Sequence, residues 1–127
     1  MEEMALCEDL SNAFNTRRRK DVLQAPSFRP MWRLAAWSYS RPSPLLLRGS
    51  DGQVAGVLQS CEGVRQGDPL APLLFALSMK SIYNTVSEHG GGRALLVAVH
   101  DDLTILGPPA EVARCHDLYK RLTQEAA

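Results

Sequence analysis

Apolar positions along this chain switch between strand-like runs and helical spacing, and the switches mark out its elements. Residues 4–10 form a short apolar run that reaches its end at Asp9 and predicts a first strand. Residues 16–24 predict a helix, stopped at Ala25-Pro26 because a residue before proline disfavours helical dihedrals. Residues 28–39 predict a second helix, with Ser27 as its cap and Pro42-Ser43-Pro44 as its break. The runs 45–47 and 54–58 flank Gly49-Ser50-Asp51-Gly52, which is a hairpin signal. After a loop over 63–67, Asp68 is expected to cap the longest helix, with Pro69 at its first position. Leu70, Leu73, Leu74, Leu77, Ile82 and Val86 give that helix an apolar stripe as far as Glu88, and Gly90-Gly91-Gly92 ends it. Two apolar runs, 95–99 and 103–106, then enclose His100-Asp101-Asp102. Pro108-Pro109 opens a last helix, in which Val112, Cys115, Leu118, Tyr119 and Leu122 recur at helical spacing. The order β-α-α-ββ-α-ββ-α predicts an α+β fold, an antiparallel sheet with helices packed on one face.

The two adjacent aspartates are the most informative break in the pattern. Neighbouring side chains on a strand point to opposite faces, so a carboxylate pair suits a turn better than a strand interior. The expected form is a hairpin with His100, Asp101 and Asp102 at its tip. Carboxylates held on a rigid sheet in this way suit a hard cation.

Composition narrows the class. A chain of 127 residues with 45% hydrophobic and 22% charged content is globular and long enough for one modest core. Net charge is zero, yet eight basic residues (Arg17, Arg18, Arg19, Lys20, Arg29, Arg33, Arg41, Arg48) face one acid, Asp21, between Arg17 and Arg48. That segment reads as solvated helix faces, with phosphate contact as the alternative. Three widely spaced cysteines without a Cys-x-x-Cys pair argue against a disulfide framework and a zinc site. A reducing, intracellular setting, nucleus or cytoplasm, is expected. Neither a secretory leader nor a membrane-length apolar run is read from the sequence.

Three segments carry chemistry together: Asp9-Leu10-Ser11-Asn12-Ala13-Phe14-Asn15, Gly63-Val64-Arg65-Gln66-Gly67-Asp68-Pro69-Leu70, and Val99-His100-Asp101-Asp102-Leu103. In this order and spacing they resemble motifs A, B and C of a reverse transcriptase palm. The Arg-Gln-Gly-Asp-Pro-Leu run is most similar to the non-LTR retrotransposon branch. The resemblance covers residues 4–122 and implies a palm over residues 1–127, a single partial domain without fingers or thumb. It belongs, on that expectation, to a larger polyprotein.

The resemblance implies RNA-directed DNA polymerase activity: two-metal transfer of a deoxynucleotide onto a primer 3′-hydroxyl. The implied partners are an RNA template, a DNA primer and a deoxynucleoside triphosphate (dNTP), with no membrane. The implied cofactors are two Mg²⁺ ions, with Mn²⁺ as a substitute. Asp9 and Asp101 would bridge the ions, Leu10 would offer its carbonyl, and Asp102 would be an accessory carboxylate. Phe14 would abut the sugar and exclude a 2′-hydroxyl; on its residues alone it reads as a core phenylalanine. Gln66 with Arg65 would reach the nucleotide and templating base, and Gly63 and Gly67 would admit the template backbone. Two positions depart from the family pattern. Val99 replaces the usual aromatic near the primer terminus, and His100 replaces a small or apolar residue. The isolated chain is expected to show little or no activity. The alternatives are a non-catalytic palm remnant that keeps some nucleic-acid binding and a decayed product that folds poorly alone.

Overall fold

A computed structural model describes residues 2–10, 13–24 and 26–125. Along them the chain forms β1 (Met4–Asp9), α1 (Ala13–Thr16), α2 (Arg19–Gln24), a 3-10 helix over Pro26–Met31, and α3 (Trp32–Tyr39). It continues through β2 (Ser43–Arg48), β3 (Val54–Ser60), α4 (Ala71–His89), β4 (Leu95–Val99), β5 (Asp102–Gly107) and α5 (Pro109–Glu125). The fold is α+β with antiparallel sheets and packed helices, as the element order predicts.

There are two sheets among the described residues rather than one. β1, β5 and β4 form a three-stranded sheet with β5 in the middle, and β2 pairs only with β3. The alternation of β5 explains its central place. Leu103 and Ile105 are fully buried, whereas Asp102 and Leu106 point to the open side. Antiparallel register sets Leu6 and Leu96 on the same inner face as Ile105. That face packs on α4 and α5, where Phe75, Met79, Ile82, Val86, Val112, Cys115 and Tyr119 complete the core. Each fully buried aliphatic or aromatic side chain is worth about 1.5–3 kcal/mol, so this layer fixes the sheet against its helices. His116 of α5 also meets Glu8 of β1 at 2.9 Å.

Several boundaries differ from those the pattern suggests, each for a local reason. The helix expected over 16–24 is two short helices. The Phe14 carbonyl accepts the Val64 N–H at 2.6 Å and the Arg17 carbonyl accepts the Gly63 N–H at 3.0 Å, so neither is left for a continuing helix. The helix expected over 28–39 begins as a 3-10 turn that contains Pro30, which has no N–H to donate. The side chain of Ser27, expected to cap it, lies outside the described residues. Asp68 is not the N-cap of α4, because the helix starts three residues later at Ala71 with Leu70 in the cap position. Asp68 instead builds the entry turn, its Oδ1 accepting the Leu70 N–H and its carbonyl the Ala71 N–H. Pro72, not Pro69, occupies the proline-tolerant first turn. Asp102 leaves the hairpin tip and begins β5, paired with both Asp9 and Val99.

Candidate metal centre and adjoining cavity

The carboxylates meet because of register. Asp9 is the last residue of β1 and Asp102 the first of β5, and the two are direct partners across the antiparallel pair. Partners across such a pair share a face. Here it is the open face, opposite Leu103 and Ile105. Asp101 follows from the tight turn that returns β4 into β5. One ligand oxygen from each of Asp9, Asp101 and Asp102 lies within 4.8 Å of the others. Asp9 and Asp102 are exposed and Asp101 is half-buried. Three hard oxygen donors converging at a water-accessible strand end suit a small divalent cation better than any soft metal.

The turn itself is held from beneath. His100 sits at φ 58°, a left-handed conformation that histidine tolerates better than most side chains. The Tyr83 hydroxyl donates to its carbonyl at 3.5 Å, and the Tyr83 ring stacks on Tyr119 with centroids 6.2 Å apart. Burial is the main cause that raises the pKa of both tyrosines, and the negative charge of Asp101 pushes the same way. Neutral hydroxyls therefore lie under the carboxylate turn.

Beside the carboxylates opens a cavity of about 380 Å³ lined by Phe14, Gln66, Gly67, Asp68, Ala71, Pro72 and Asp101. Phe14 stacks on Phe75 at 4.9 Å and meets the His100 ring at 6.1 Å. Phe14 thus packs on the core residue Phe75 and also lines the cavity. Gly67 at φ 83° carries the loop past the cavity in a conformation that strains any residue with a Cβ. Leu10 is half-buried against the core, and its carbonyl accepts the Ala13 N–H at 3.2 Å.

Arg65 lies apart from this group. Its guanidinium donates to the Ser43 hydroxyl and the Ser38 carbonyl at 3.2 Å each, and sits 4.8 Å from the centre of the Tyr39 ring. Its surroundings are those of a brace for the loop, and it is not among the residues lining the cavity. The brace continues through residues that sequence reasoning passes over. The Tyr39 hydroxyl donates to Asp68 at 2.6 Å and accepts the Arg65 N–H at 3.2 Å. Arg19 lies 5.4 Å from the ring centre of Tyr39 and donates to the Gly63 carbonyl and the Ser60 hydroxyl. Arg17 donates to the Ser78 carbonyl on α4. In the sequence Arg17 and Arg19 read as part of a solvated basic run; only the fold shows what they reach.

The brace makes a pH-dependent contribution. The hydrogen bond from Tyr39 is the largest cause that lowers the Asp68 pKa; burial opposes it, and the Leu70 N–H and Arg65 add to the lowering. A carboxyl lowered on folding contributes stability above its unfolded pKa of about 3.9, and that stability is lost as pH falls through the folded value. The stability advantage of the wild type over Asp68→Asn, measured by urea melts between pH 7 and 3, is expected to shrink below about pH 4. An advantage that stays constant with pH would show that ionisation of Asp68 contributes nothing.

Against known proteins, the chain is 32% identical over 120 residues to the "Retrotransposable element SLACS 132 kDa protein" of Trypanosoma brucei gambiense. The match takes in 82% of the chain and spans 9% of that protein's length. The similarity points to a retrotransposon-derived origin. No family model matches the chain, and no solved structure matches it.

Proposed function

We propose that this chain is the palm of an RNA-directed DNA polymerase of non-LTR retrotransposon type, which extends a DNA primer on an RNA template with dNTPs. The observation that carries the reading is the convergence of Asp9, Asp101 and Asp102 within 4.8 Å, next to a cavity lined by Phe14 and Gln66. The three segments come from distant parts of the chain. Asp9 lies far along the chain from Asp101 and Asp102, and their meeting at one strand end, beside the loop that carries Gln66, is what a polymerase centre requires. The similarity to a retrotransposon protein supports the same reading.

The donor set fits divalent ions: all-oxygen, trianionic and open to water, as Mg²⁺ with its retained hydration requires. Asp9 and Asp101 would hold two ions between them, with Asp102 and the Leu10 carbonyl as further oxygen donors and Mn²⁺ as a substitute. When bound, such ions neutralise the phosphates and favour the attacking 3′-oxygen and the leaving group of an in-line displacement. The rest falls to the protein as positioning. Phe14, backed by Phe75, presents a fixed ring edge where the sugar would lie. Gln66 offers an amide to the nucleotide or the templating base. The braced loop and Gly67 let the template backbone approach without a Cβ between them. Arg65 acts here through the loop it braces.

The test is primer extension in Mg²⁺ by these residues joined to fingers and thumb regions, since gripping the triphosphate needs groups beyond the cavity seen here. Deoxynucleotides are expected to be used, and ribonucleotides rejected by the clash of a 2′-hydroxyl with Phe14. Phe14→Val is expected to relax that discrimination by roughly tenfold or more, because it removes the repulsive element and keeps an apolar side chain. No extension on any primed RNA by the joined protein would overturn the reading.

A further inference from the structure

The outer face of α3 carries an arrangement unconnected with the carboxylates. Ala35 and Tyr39 are buried. Trp37 stands two positions from each, and Arg33 two positions before Ala35, on the opposite side of a helix that turns about 100° per residue. Trp37 is 82% exposed, and Arg33, four residues earlier, is its neighbour on the same face. Ser40 keeps helical dihedrals (φ −71°, ψ −18°) and leads to Arg41, exposed and four residues beyond Trp37. Among the described residues, none of these three side chains makes a hydrogen bond, ion pair or ring contact. Residues 22–50 contain Arg29, Arg33, Arg41 and Arg48 and no acid at all.

A largely exposed indole, four residues from an exposed arginine on either side in an acid-free segment, has a specific complement. Bases stack on the ring, and the strand's phosphates meet the arginines. We propose that this face of α3 is a stacking platform for single-stranded nucleic acid. Charge complementarity favours that occupant over an apolar protein surface, which would bury the arginines unpaired. A duplex fits less well, because only its terminal base pairs offer a free face to the ring. The platform does not depend on the polymerase reading, and it is tested without divalent ions.

The chain contains two tryptophans, so Trp32→Phe leaves Trp37 as the only indole. In EDTA and low salt, oligouridylate and oligothymidylate are both expected to quench its fluorescence on binding. Anisotropy of a labelled oligonucleotide is expected to show about tenfold weaker binding for Trp37→Ala and near-normal binding for Trp37→Phe. Arg33→Gln and Arg41→Gln are each expected to flatten the plot of log affinity against log salt by about 0.7. Wild-type affinity in Trp37→Ala, equal binding of a blunt duplex, or binding indifferent to salt would each overturn the proposal. Loss of binding in Trp37→Ala without quenching in the Trp32→Phe chain would overturn it as well, since the ring would then not be the stacking surface.

Discussion

Asp101→Asn is expected to make the chain more stable without divalent ions and less stable than the wild type with them. Asp9, Asp101 and Asp102 hold oxygens within 4.8 Å of one another. Two unit charges about 4 Å apart repel by about 1 kcal/mol in water, and by more beside a protein surface. Removing one charge therefore relieves the cluster in EDTA. With Mg²⁺ the sign reverses. An ion that binds only the folded state stabilises it by RT ln(1 + [L]/Kd), about 2.7 kcal/mol at a hundredfold excess over Kd. The asparagine variant loses a charged ligand and most of that gain. Thermal melts of both proteins in EDTA and in millimolar Mg²⁺ should cross. Parallel shifts in the two would mean that the cluster holds no ion, and the assignment of Asp101 would fall. In the protein joined to fingers and thumb, the same substitution is expected to lower primer extension by roughly a hundredfold or more, since weakening even the support of a metal site costs 10–100-fold.

The experiment also separates the three carboxylates. Asp102→Asn should relieve the same repulsion in EDTA, because Asp102 stands directly across from Asp9. If Asp102 is only accessory, its variant keeps a larger share of the Mg²⁺ gain than Asp101→Asn. The reverse ranking would move the principal ligand onto β5 and revise the role of the turn.

What the sequence made legible is what depends on short-range chemistry. The strand that ends at Asp9, the hairpin signal at 49–52, the apolar stripe of α4 except for Leu73, which faces solvent, and the paired aspartates are all local patterns, and the α+β order follows from them. What stayed hidden depends on partners far along the chain. Nothing near Asp102 says that it will pair with Asp9 and sit in a strand, because register is set by which faces of β1, β4 and β5 must be buried. Nothing near Phe14 says that its carbonyl will meet Val64 and break a helix that the local spacing favours. The basic run misled for the same reason: the sequence shows charge, and only tertiary contacts show that Arg17 and Arg19 turn inward while Arg33 and Arg41 do not. Pro69 drew the helix start two residues early because Asp68 builds its entry turn from the same residue types as a cap.

Tyr39 is where this long-range structure concentrates, and its loss is expected to cost most. Its ring is 1% exposed, with guanidinium groups 4.8 Å and 5.4 Å from its centre. Its hydroxyl serves two groups of the loop before α4, the Asp68 carboxylate and the Arg65 N–H. Tyr39→Phe keeps the ring and both arginine contacts but takes a hydrogen bond from the half-buried Asp68 carboxylate, which keeps the Leu70 N–H, and leaves the Arg65 N–H without this acceptor, which costs about 1–3 kcal/mol. Tyr39→Ala also opens a cavity and is expected to cost about 3–5 kcal/mol, read from urea melts. The phenylalanine variant carries the more telling result. Hydrogen exchange at the Arg65 amide should accelerate, while amides of β5, whose Leu103 and Ile105 lie in the main core, keep their protection. Acceleration across β5 as well would mean that Tyr39 supports the whole fold and not this loop in particular. If the loss is local, it reaches the cavity through Gln66 and Gly67, which lie between Arg65 and Asp68 in the chain and line it. In the protein joined to fingers and thumb, Tyr39→Phe should then raise KM for the nucleotide more than it lowers kcat. It disturbs the wall of the cavity and leaves Asp9, Asp101 and Asp102 in register.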